Sequence, residues 1–354
     1  MNLDDIREKI DALDKQLVEL LNERYRLAQR VGEIKHGEDS EIYVPAREKD
    51  VFDKISSLNE GPMLERTVHA IFREVMSGAL ALEEPLKIAY LGPEGTWTHQ
   101  AAVSKFGSSV DYLPCESFAD IFSSVENGRS SYALVPIENT IEGPVGQTLD
   151  LLAGTSLKIC AEGLLPISQC LLGKGSVDEI QKLYGHPQSF AQSRVWLERA
   201  LPGVEQVSVS STGRAAEIAA AEPGAAAVAS PLAGEMYGLQ VLASSIQSRS
   251  DNTTRFLVMG RACGASTGAD RTSLLLAVKH EAGSLYGALE SFRKHALNMS
   301  KIESRPSQDE AWQYLFFVDI EGHAEDESVK QALEEMRSHC TRLTILGSYP
   351  RATS

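Results

Sequence analysis

Apolar residues in the first 84 positions recur at steps of three and four, the period of an amphipathic helix. One stripe runs from Leu3 to Leu20, meets a cation at Arg24 and resumes at Leu27. Proline suits the first turn of a helix, so Pro45 marks a second start. The pattern predicts an all-α segment of three helices: residues 3–36, residues from 45 onward, and residues 63–83.

The first predicted helix is too long for a small helical domain. At 1.5 Å per residue it spans about 50 Å, whereas a domain of this size has a radius of gyration of about 12 Å. We therefore expect this helix to pack against a second copy of itself, in a homodimer or a higher homo-oligomer.

The hydrophobic pattern changes after residue 84. Short apolar runs then alternate with helical stretches as far as residue 260, which predicts an α/β domain with a mostly parallel sheet. A small, polar linker follows. The predicted order is then strand, helix, strand, strand, helix, strand, which is the ferredoxin-like (βαββαβ) α+β arrangement. The sequence thus predicts a multidomain chain with boundaries at residues 1–86, 87–262 and 272–351.

The net charge of the 354-residue chain is −15, which argues against nucleic acid or an anionic membrane surface as the main partner. No apolar run approaches the ~20 residues of a membrane span, and the acidic N-terminus does not resemble a signal peptide. The five cysteines are scattered and odd in number. We expect a reduced, cytoplasmic protein without a metal site or a cofactor, since no G-x-G-x-x-G spacing marks a dinucleotide site.

Several charged residues fall where the helices should be apolar. Eleven residues advance a helix by about three turns, so Arg24 and Lys35 lie on one face. Arg7 lies about 100° off that face, so Arg7 of the same helix does not converge with Arg24 and Lys35. The helix of a partner subunit could bring its Arg7 to them. Two more charged residues, Arg47 and Glu48, lie in the first turn of the second predicted helix. Glu83 lies on the apolar face of the third predicted helix. Because buried ions are costly unless paired, the set is either a structural ion-pair network or a binding site.

This set resembles the helical chorismate mutase family, on the segment IREKIDALD, the pair Arg24 and Lys35, and the Pro-x-Arg-Glu run at 45–48. Chorismate is a dianion that rearranges by a pericyclic shift and needs neither a nucleophile nor a metal. The resemblance implies three carboxylate ligands: Arg24, Arg47 and Arg7 of the partner subunit. It also implies that Lys35 donates to the breaking ether oxygen and that Glu48 accepts from the ring hydroxyl.

Three positions depart from the pattern of that family. Ala79 stands where a small polar residue is usual, and Val44 replaces an acidic residue and can offer only its backbone N–H. Glu83 replaces a second ether-oxygen donor, often a glutamine. Because a glutamate donates only when protonated, we expect mutase activity to fall as pH rises and Glu83→Gln to flatten the pH profile. An unchanged profile in that variant would contradict this catalytic role.

Polar loops in the middle of the chain resemble prephenate dehydratases over about residues 86–260. The resemblance rests on four runs: TRF at 254–256, GPEGT at 92–96, VPIEN at 135–139 and YGLQVL at 237–242. It implies two α/β lobes, like those of a periplasmic binding protein, with prephenate between them. Loss of the ring hydroxyl needs a proton donor, a role given to Thr254, while Arg255 binds a carboxylate or orients that threonine. The other implied cleft residues are Thr96, Glu138, Asn139 and Thr140, with a supporting place for His186.

The C-terminal segment resembles the ACT regulatory domain attached to dehydratases, on the runs KIESRPS and GSLYGAL. The resemblance implies an L-phenylalanine effector site in paired copies of the domain, at these residues: Gly283, Leu285, Glu303, Ser304, Arg305 and Pro306. A plain βαββαβ dimerisation module is the alternative. A phenylalanine effect on dehydratase kinetics would separate the two possibilities.

Three resemblances in this order point to the bifunctional chorismate mutase–prephenate dehydratases of phenylalanine biosynthesis, with feedback inhibition by phenylalanine. One alternative is a binding or regulatory protein with a two-lobed cleft and vestigial catalytic residues. The presence of all the expected charged and hydroxyl groups argues against this alternative: Arg7, Arg24, Lys35, Glu48 and Thr254. A nearer alternative is a dehydratase that acts on arogenate, and the sequence leaves that choice open.

Overall fold

The computed structural model describes residues 2–38, 43–262, 264–307 and 313–352. The chain divides into two compact units. The first unit comprises Met1–Lys87 and Lys105–Asp111, and the second comprises Ile88–Ser104 and Tyr112–Ser354. Each unit is described separately below.

The first unit is helical, as the hydrophobic pattern predicts. Its three helices are α1 (Leu3–Glu38), α2 (Pro45–Leu58) and α3 (Glu65–Glu83). Helix α1 begins with a reciprocal cap, because Asp5 N–H donates to Asn2 Oδ1 (2.8 Å) and Asn2 N–H donates to Asp5 Oδ2 (3.0 Å). Pro45 occupies the first turn of α2, where its missing N–H costs no hydrogen bond.

Helix α1 packs on α3 over only part of its length. Gly32 is buried at the contact, and a β-carbon there would lie 3.2 Å from Cα of Glu83, so glycine permits the close approach of the two helices. Large apolar side chains elsewhere on α1 are exposed: Leu3, Ile6, Ile10, Leu13, Leu17, Val18, Leu20, Leu27, Val31 and Ile34. We call these residues the α1 stripe.

The second unit alternates strands and helices. Its strands, counted from the one that leaves α3, are β1 (Lys87–Leu91), β2 (Asp111–Cys115), β3 (Tyr132–Asn139), β4 (Gly143–Pro144), β5 (Lys158–Pro166), β6 (Cys170–Gly173), β7 (Lys182–Gly185), β8 (Glu205–Ser208), β9 (Ala225–Ala229), β10 (Gln240–Ala243), β11 (Thr253–Gly260), β12 (Asp270–Val278), β13 (Met299–Pro306), β14 (Tyr314–Glu321) and β15 (Cys340–Pro350). The helices are α4 (Trp97–Phe106), α5 (Phe118–Glu126), α6 (Gly146–Gly154), α7 (Pro187–Ala200), α8 (Thr212–Ala221), α9 (Pro231–Tyr237), α10 (Ser284–Lys294) and α11 (Glu327–Arg337). The last two residues of α4 belong to the first unit.

Two sheets form two α/β lobes, whereas the strand–helix alternation alone predicted a single, mostly parallel sheet. The first sheet has the order β2-β1-β3-β11-β5, and the second has the order β10-β6-β9-β7-β8. Strand β11 runs antiparallel to both β3 and β5, and β6 runs antiparallel to β9 and β10. The chain passes between the lobes after β5 and again before β11. Neither connection contains a helix, so neither forms the parallel crossover that the alternation suggested.

The C-terminal segment forms a third sheet, of order β13-β14-β12-β15, with α10 and α11 as its two helices. The order of elements is βαββαβ, as the sequence pattern predicts. One face shares a core with the first lobe, because Leu275, Phe317 and Tyr349 belong to the same buried cluster as Ile159. Gly347 permits this contact, since a β-carbon there would lie 2.1 Å from the carbonyl oxygen of Ile159.

Candidate active sites

A cavity of about 460 Å³ opens among the three helices of the first unit. Helix α1 supplies Arg24 and Lys35, three turns apart, as the eleven-residue spacing predicts. Seven of the eight chorismate residues expected from the sequence line this cavity: Arg24, Lys35, Val44, Arg47, Glu48, Ala79 and Glu83. We call this cavity the helical pocket.

The charges in the helical pocket favour an anionic ligand. Five cations and two carboxylates line it: Arg24, Lys35, Arg47, Arg73, Lys105, Glu48 and Glu83. Arginine can hold a carboxylate by two parallel hydrogen bonds, and the partly enclosed setting weakens solvent screening. The pocket therefore suits a small dianion.

Lys35 and Glu83 meet inside the helical pocket. Lys35 Nζ lies 3.6 Å from Glu83 Oε2, and the two side chains are 25% and 10% exposed. The glycine at position 32 lets α1 approach the backbone of Glu83 in the same region. The structure thus brings together the two residues that the sequence assigned to the ether oxygen.

Glu48 is held from two sides by residues that the sequence reasoning missed. Tyr43 donates its hydroxyl to Oε2 of Glu48 at 2.9 Å, and Lys105 Nζ lies 2.8 Å from the same oxygen. Lys105 belongs to the last turn of α4, 57 positions after Glu48, so no local spacing connects the two. Arg73, Ser77 and Phe106 are further polar or aromatic residues of the lining that were not predicted as site residues.

Arg7 does not reach the helical pocket of its own chain. Its side chain is 66% exposed and forms an ion pair with Asp4 one turn earlier on α1. This position agrees with the helical geometry, which places Arg7 off the face shared by Arg24 and Lys35. A contribution from Arg7 to such a pocket therefore requires a second chain.

A second cavity, of about 340 Å³, lies in the second unit between its two α/β lobes. The first lobe supplies Thr96, Asn139 and Thr254, and the second lobe supplies His186 and Thr212. These side chains stand mainly at the ends of strands and the starts of helices, where open α/β sheets place their ligands. We call this cavity the cleft.

Thr254 is oriented by a neighbour on the adjacent strand. Asn139 Nδ2 donates to Thr254 Oγ1 at 2.8 Å, so the threonine oxygen acts as an acceptor in that bond. The hydroxyl proton of Thr254 is therefore not used in that bond and can be donated to a ligand in the cleft. Asn139 is fixed in turn, since its Oδ1 accepts from the N–H groups of Ile141 (2.9 Å) and Glu142 (3.0 Å). The arrangement presents a hydroxyl donor at the cleft.

An amide network extends from this threonine across the cleft floor. Asn139 Nδ2 also donates to Asn252 Oδ1 (2.8 Å), and Asn252 Nδ2 donates to Gln192 Oε1 (3.2 Å). The same glutamine oxygen accepts from Gln169 (3.1 Å). Asn252, Gln192 and Gln169 line the cleft and were not among the predicted residues, although Asn252 directly precedes the Thr-Thr-Arg-Phe run.

His186 occupies a supporting position in the cleft. It caps α7, because its Nδ1 accepts from the N–H of Gln188 at 3.3 Å. Burial lowers the pKa of the His186 imidazole, because loss of solvent disfavours the charged form. Its neutral ring therefore suits a hydrogen-bonding role better than that of an acid.

Three residues expected at the cleft lie outside its lining. Arg255 points away from Thr254, because successive side chains of a strand face opposite sides, and its guanidinium binds Glu162 (2.7 Å) and Asp319 (2.6 Å). Thr140 bonds the backbone of residues 251 and 253 instead. Glu138 forms an ion pair with Lys301 of β13 at 2.5 Å. For Arg255 in particular, the structure corrects the expectation of a contact with the substrate or with Thr254.

The residues of the two effector motifs lie on two different elements, the start of α10 and strand β13. Gly283 and Leu285 line a surface cavity of about 690 Å³ at the start of α10. The Glu303-Ser304-Arg305-Pro306 run lies on β13, where Arg305 holds Asp150 through two hydrogen bonds of 3.0 and 2.8 Å. Ser304 and Pro306 are exposed on the opposite face of that strand. Ser304 and Pro306 pair with Phe316 and Tyr314 of β14, which line the cavity beside Gly283 and Leu285.

Over the part of the chain that the structure describes, no helix is both long and apolar enough to cross a membrane.

Sequence profiles of two families match this chain in succession. Chorismate mutase type II matches residues 6–84, and prephenate dehydratase matches residues 88–263. The first match covers α1 to α3, and the second covers the two lobes and Thr254. The matches therefore fall on the helical pocket and on the cleft respectively.

Similar proteins of known name match the chain over nearly its whole length. A bifunctional chorismate mutase/prephenate dehydratase from Aquifex aeolicus is 47% identical, over 99% of this chain and 98% of its own. A protein of the same name from Neisseria gonorrhoeae is 43% identical, over 98% and 96%. Among solved structures, the prephenate dehydratase from Arthrobacter aurescens in complex with L-Phe is 34% identical with a TM-score of 0.69, over 75% of this chain and 90% of its own.

Proposed function

Because this chain belongs to the bifunctional chorismate mutase/prephenate dehydratase family, we propose that it converts chorismate to prephenate in the helical pocket and prephenate to phenylpyruvate in the cleft. Both activities serve the biosynthesis of L-phenylalanine. The observation that carries the proposal is the convergence of Arg24, Lys35, Arg47 and Glu48, from two helices, on one cavity of suitable size.

The helical pocket holds chorismate in the conformer that rearranges. Arg24, Arg47 and Arg7 of the partner subunit bind the two carboxylates. Lys35 donates to the ether oxygen, on which negative charge grows as the carbon–oxygen bond breaks. Glu48 accepts a hydrogen bond from the ring hydroxyl, which does not react. No group of the protein forms a covalent bond to the substrate, so positioning and charge stabilisation supply the catalysis.

The cleft promotes the loss of water and carbon dioxide from prephenate. Thr254 Oγ gives its proton to the leaving ring hydroxyl, which departs as water, while the carbon–carboxylate bond breaks and its electron pair completes the aromatic ring. Asn139 supports this step, because its bond to the threonine oxygen points the hydroxyl proton away from the amide. Solvent in the cleft then restores the proton to Thr254.

The mutase site requires a homodimer. The α1 stripe leaves ten large apolar side chains exposed on one helix, more than a single surface helix ordinarily shows. A second copy of α1 would cover them and would bring Arg7 of the partner subunit to the helical pocket. The same pairing would explain why the pocket of one chain lacks that arginine.

The C-terminal sheet is an ACT domain that senses L-phenylalanine. Its βαββαβ order and the Glu-Ser-Arg-Pro run on β13 support this assignment, and the related dehydratase from Arthrobacter aurescens was solved with L-Phe. We also propose that the two α/β lobes have the arrangement of a periplasmic binding protein. The domains follow the boundaries 1–86, 87–262 and 272–351.

L-phenylalanine is expected to lower the dehydratase rate at subsaturating prephenate. The variant Gly283→Ala should respond only at higher effector concentration, because φ is +86° at this position and a side chain is strained there. Steady-state kinetics with and without L-phenylalanine measure the effect, with L-lysine as the control ligand. If L-phenylalanine leaves the kinetics unchanged, the sheet serves only dimerisation.

The proposed function is tested by incubating the purified chain with chorismate and following prephenate and phenylpyruvate by chromatography. Both products should appear in sequence. A chain that binds chorismate but forms neither product would be a binding protein with vestigial sites. Comparing kcat/KM for prephenate and arogenate decides which substrate the cleft prefers, and a clear preference for arogenate would contradict the proposed second step.

A further inference from the structure

One wall of the helical pocket comes from beyond its three helices. The segment Lys105–Asp111 belongs to the helical unit, although the chorismate mutase type II profile does not extend to it. Gly107 (φ +77°) turns the chain here, and a β-carbon on it would lie 2.5 Å from Cβ of Ser77. Ser108 donates to Glu74 through its N–H (3.0 Å) and its hydroxyl (2.6 Å). The segment is therefore docked on α3.

Lys105 is the cation that this segment brings to the pocket. Its Nζ and the hydroxyl of Tyr43 both hold Oε2 of Glu48, at 2.8 and 2.9 Å. The side chains of Lys105 and Glu48 are 22% and 15% exposed, so solvent screens this pair less than a surface pair. Phe106 packs on Tyr43 with 5.0 Å between the ring centroids, which fixes the second donor as well.

We infer that Lys105 is a positioning residue of the mutase site and acts through Glu48. The inference rests on the proposed function, which gives Glu48 the ring hydroxyl of chorismate to bind. With Oε2 held by two donors, Oε1 is the oxygen that accepts from that hydroxyl, and the carboxylate is oriented before the substrate arrives. Lys105 also balances one negative charge in a pocket that must take up a dianion.

The expected signature is a change in KM. The ring hydroxyl does not react, so its bond to Glu48 has the same strength in the ground state and the transition state, and weakening it raises KM with kcat nearly constant. In the full-length chain, Lys105→Met should raise the mutase KM for chorismate on the order of 10-fold and change kcat by less than about twofold. Dehydratase kinetics in the same preparation report an intact fold and should stay unchanged.

Three further variants make the test specific. Lys105→Arg keeps the charge and should retain most of the affinity for chorismate. Lys54→Met removes an exposed lysine of α2 outside the pocket lining and should leave KM unchanged. Lys105→Gln, with a side chain of similar length, replaces Lys105→Met if the latter loses both activities through misfolding.

A double-mutant cycle that combines Lys105→Met with Glu48→Gln tests whether Lys105 acts on chorismate binding through Glu48. If Lys105 acts through Glu48, then Lys105→Met adds little to the loss in the Glu48→Gln background. Full additivity would overturn the inference, and so would a wild-type KM in Lys105→Met. Failure of the wild-type chain to convert chorismate would overturn the proposed function itself, so the two failures are distinguishable.

Discussion

Dehydratase turnover is expected to fall by at least about 10²-fold when Thr254 is replaced by alanine, because the ring hydroxyl then leaves without its proton donor. The KM for prephenate should change much less, since the amides of Asn139 and Asn252 still line the cleft. Mutase kinetics should stay at the wild-type level, as Thr254 belongs to the second unit. Stopped assays of prephenate and phenylpyruvate on one preparation measure both activities.

Two matched variants control this experiment. Thr254→Ser keeps the hydroxyl and its bond from Asn139, and should retain most of the turnover. Thr253→Ala removes the neighbouring threonine, which is not in the cleft lining, and should leave turnover unchanged. Substantial dehydratase activity in Thr254→Ala would refute the role of this residue as the proton donor.

Mutase activity is expected to fall on the order of 10²-fold in Arg7→Ala, since an unpaired substrate carboxylate costs about 2–4 kcal/mol. The loss should occur although Arg7 lies outside the helical pocket of its own chain and is mostly exposed. A residue with only a surface role would give no effect, because surface substitutions rarely change function or stability by that amount. Dehydratase activity again reports the integrity of the fold.

Complementation shows whether Arg7 acts across the dimer. When Arg7→Ala and Lys35→Met chains are co-expressed, each mixed dimer holds one complete site, so random pairing should restore about a quarter of the wild-type mutase rate. The control pair is Arg24→Ala with Lys35→Met. Both residues line the same pocket from one chain, so no mixed dimer has a complete site. Restoration in the control, or its absence in the test pair, would contradict the shared site.

The helical pocket could be predicted well from the sequence because helical spacing is regular. A cation at position 24 in an apolar stripe, with Lys35 three turns later, was enough to place two groups on one face. The structure adds the wall that Lys105 and Phe106 supply from beyond the three helices. Lys105 escaped prediction because its contact with Glu48 depends on how a distant segment docks on α3. No local pattern encodes such a contact.

The cleft was predicted less completely, and strand geometry explains why. A run of three residues on a strand cannot present all its side chains to one side, so Thr254 faces the cleft while Arg255 faces the C-terminal sheet. The alternation of strands and helices predicted the elements of the lobes. It did not predict that β11 returns antiparallel between β3 and β5, because pairing partners far apart in the chain leave no periodic signal.

The docked segment Lys105–Asp111 matters for any attempt to separate the two activities. A gene split after codon 86 would deprive the helical unit of the residues that cover Ser77 and Glu74 and that supply the ammonium beside Glu48. A chain truncated there would present an incomplete pocket, because Lys105 and Phe106 line it although the chorismate mutase type II profile ends at residue 84.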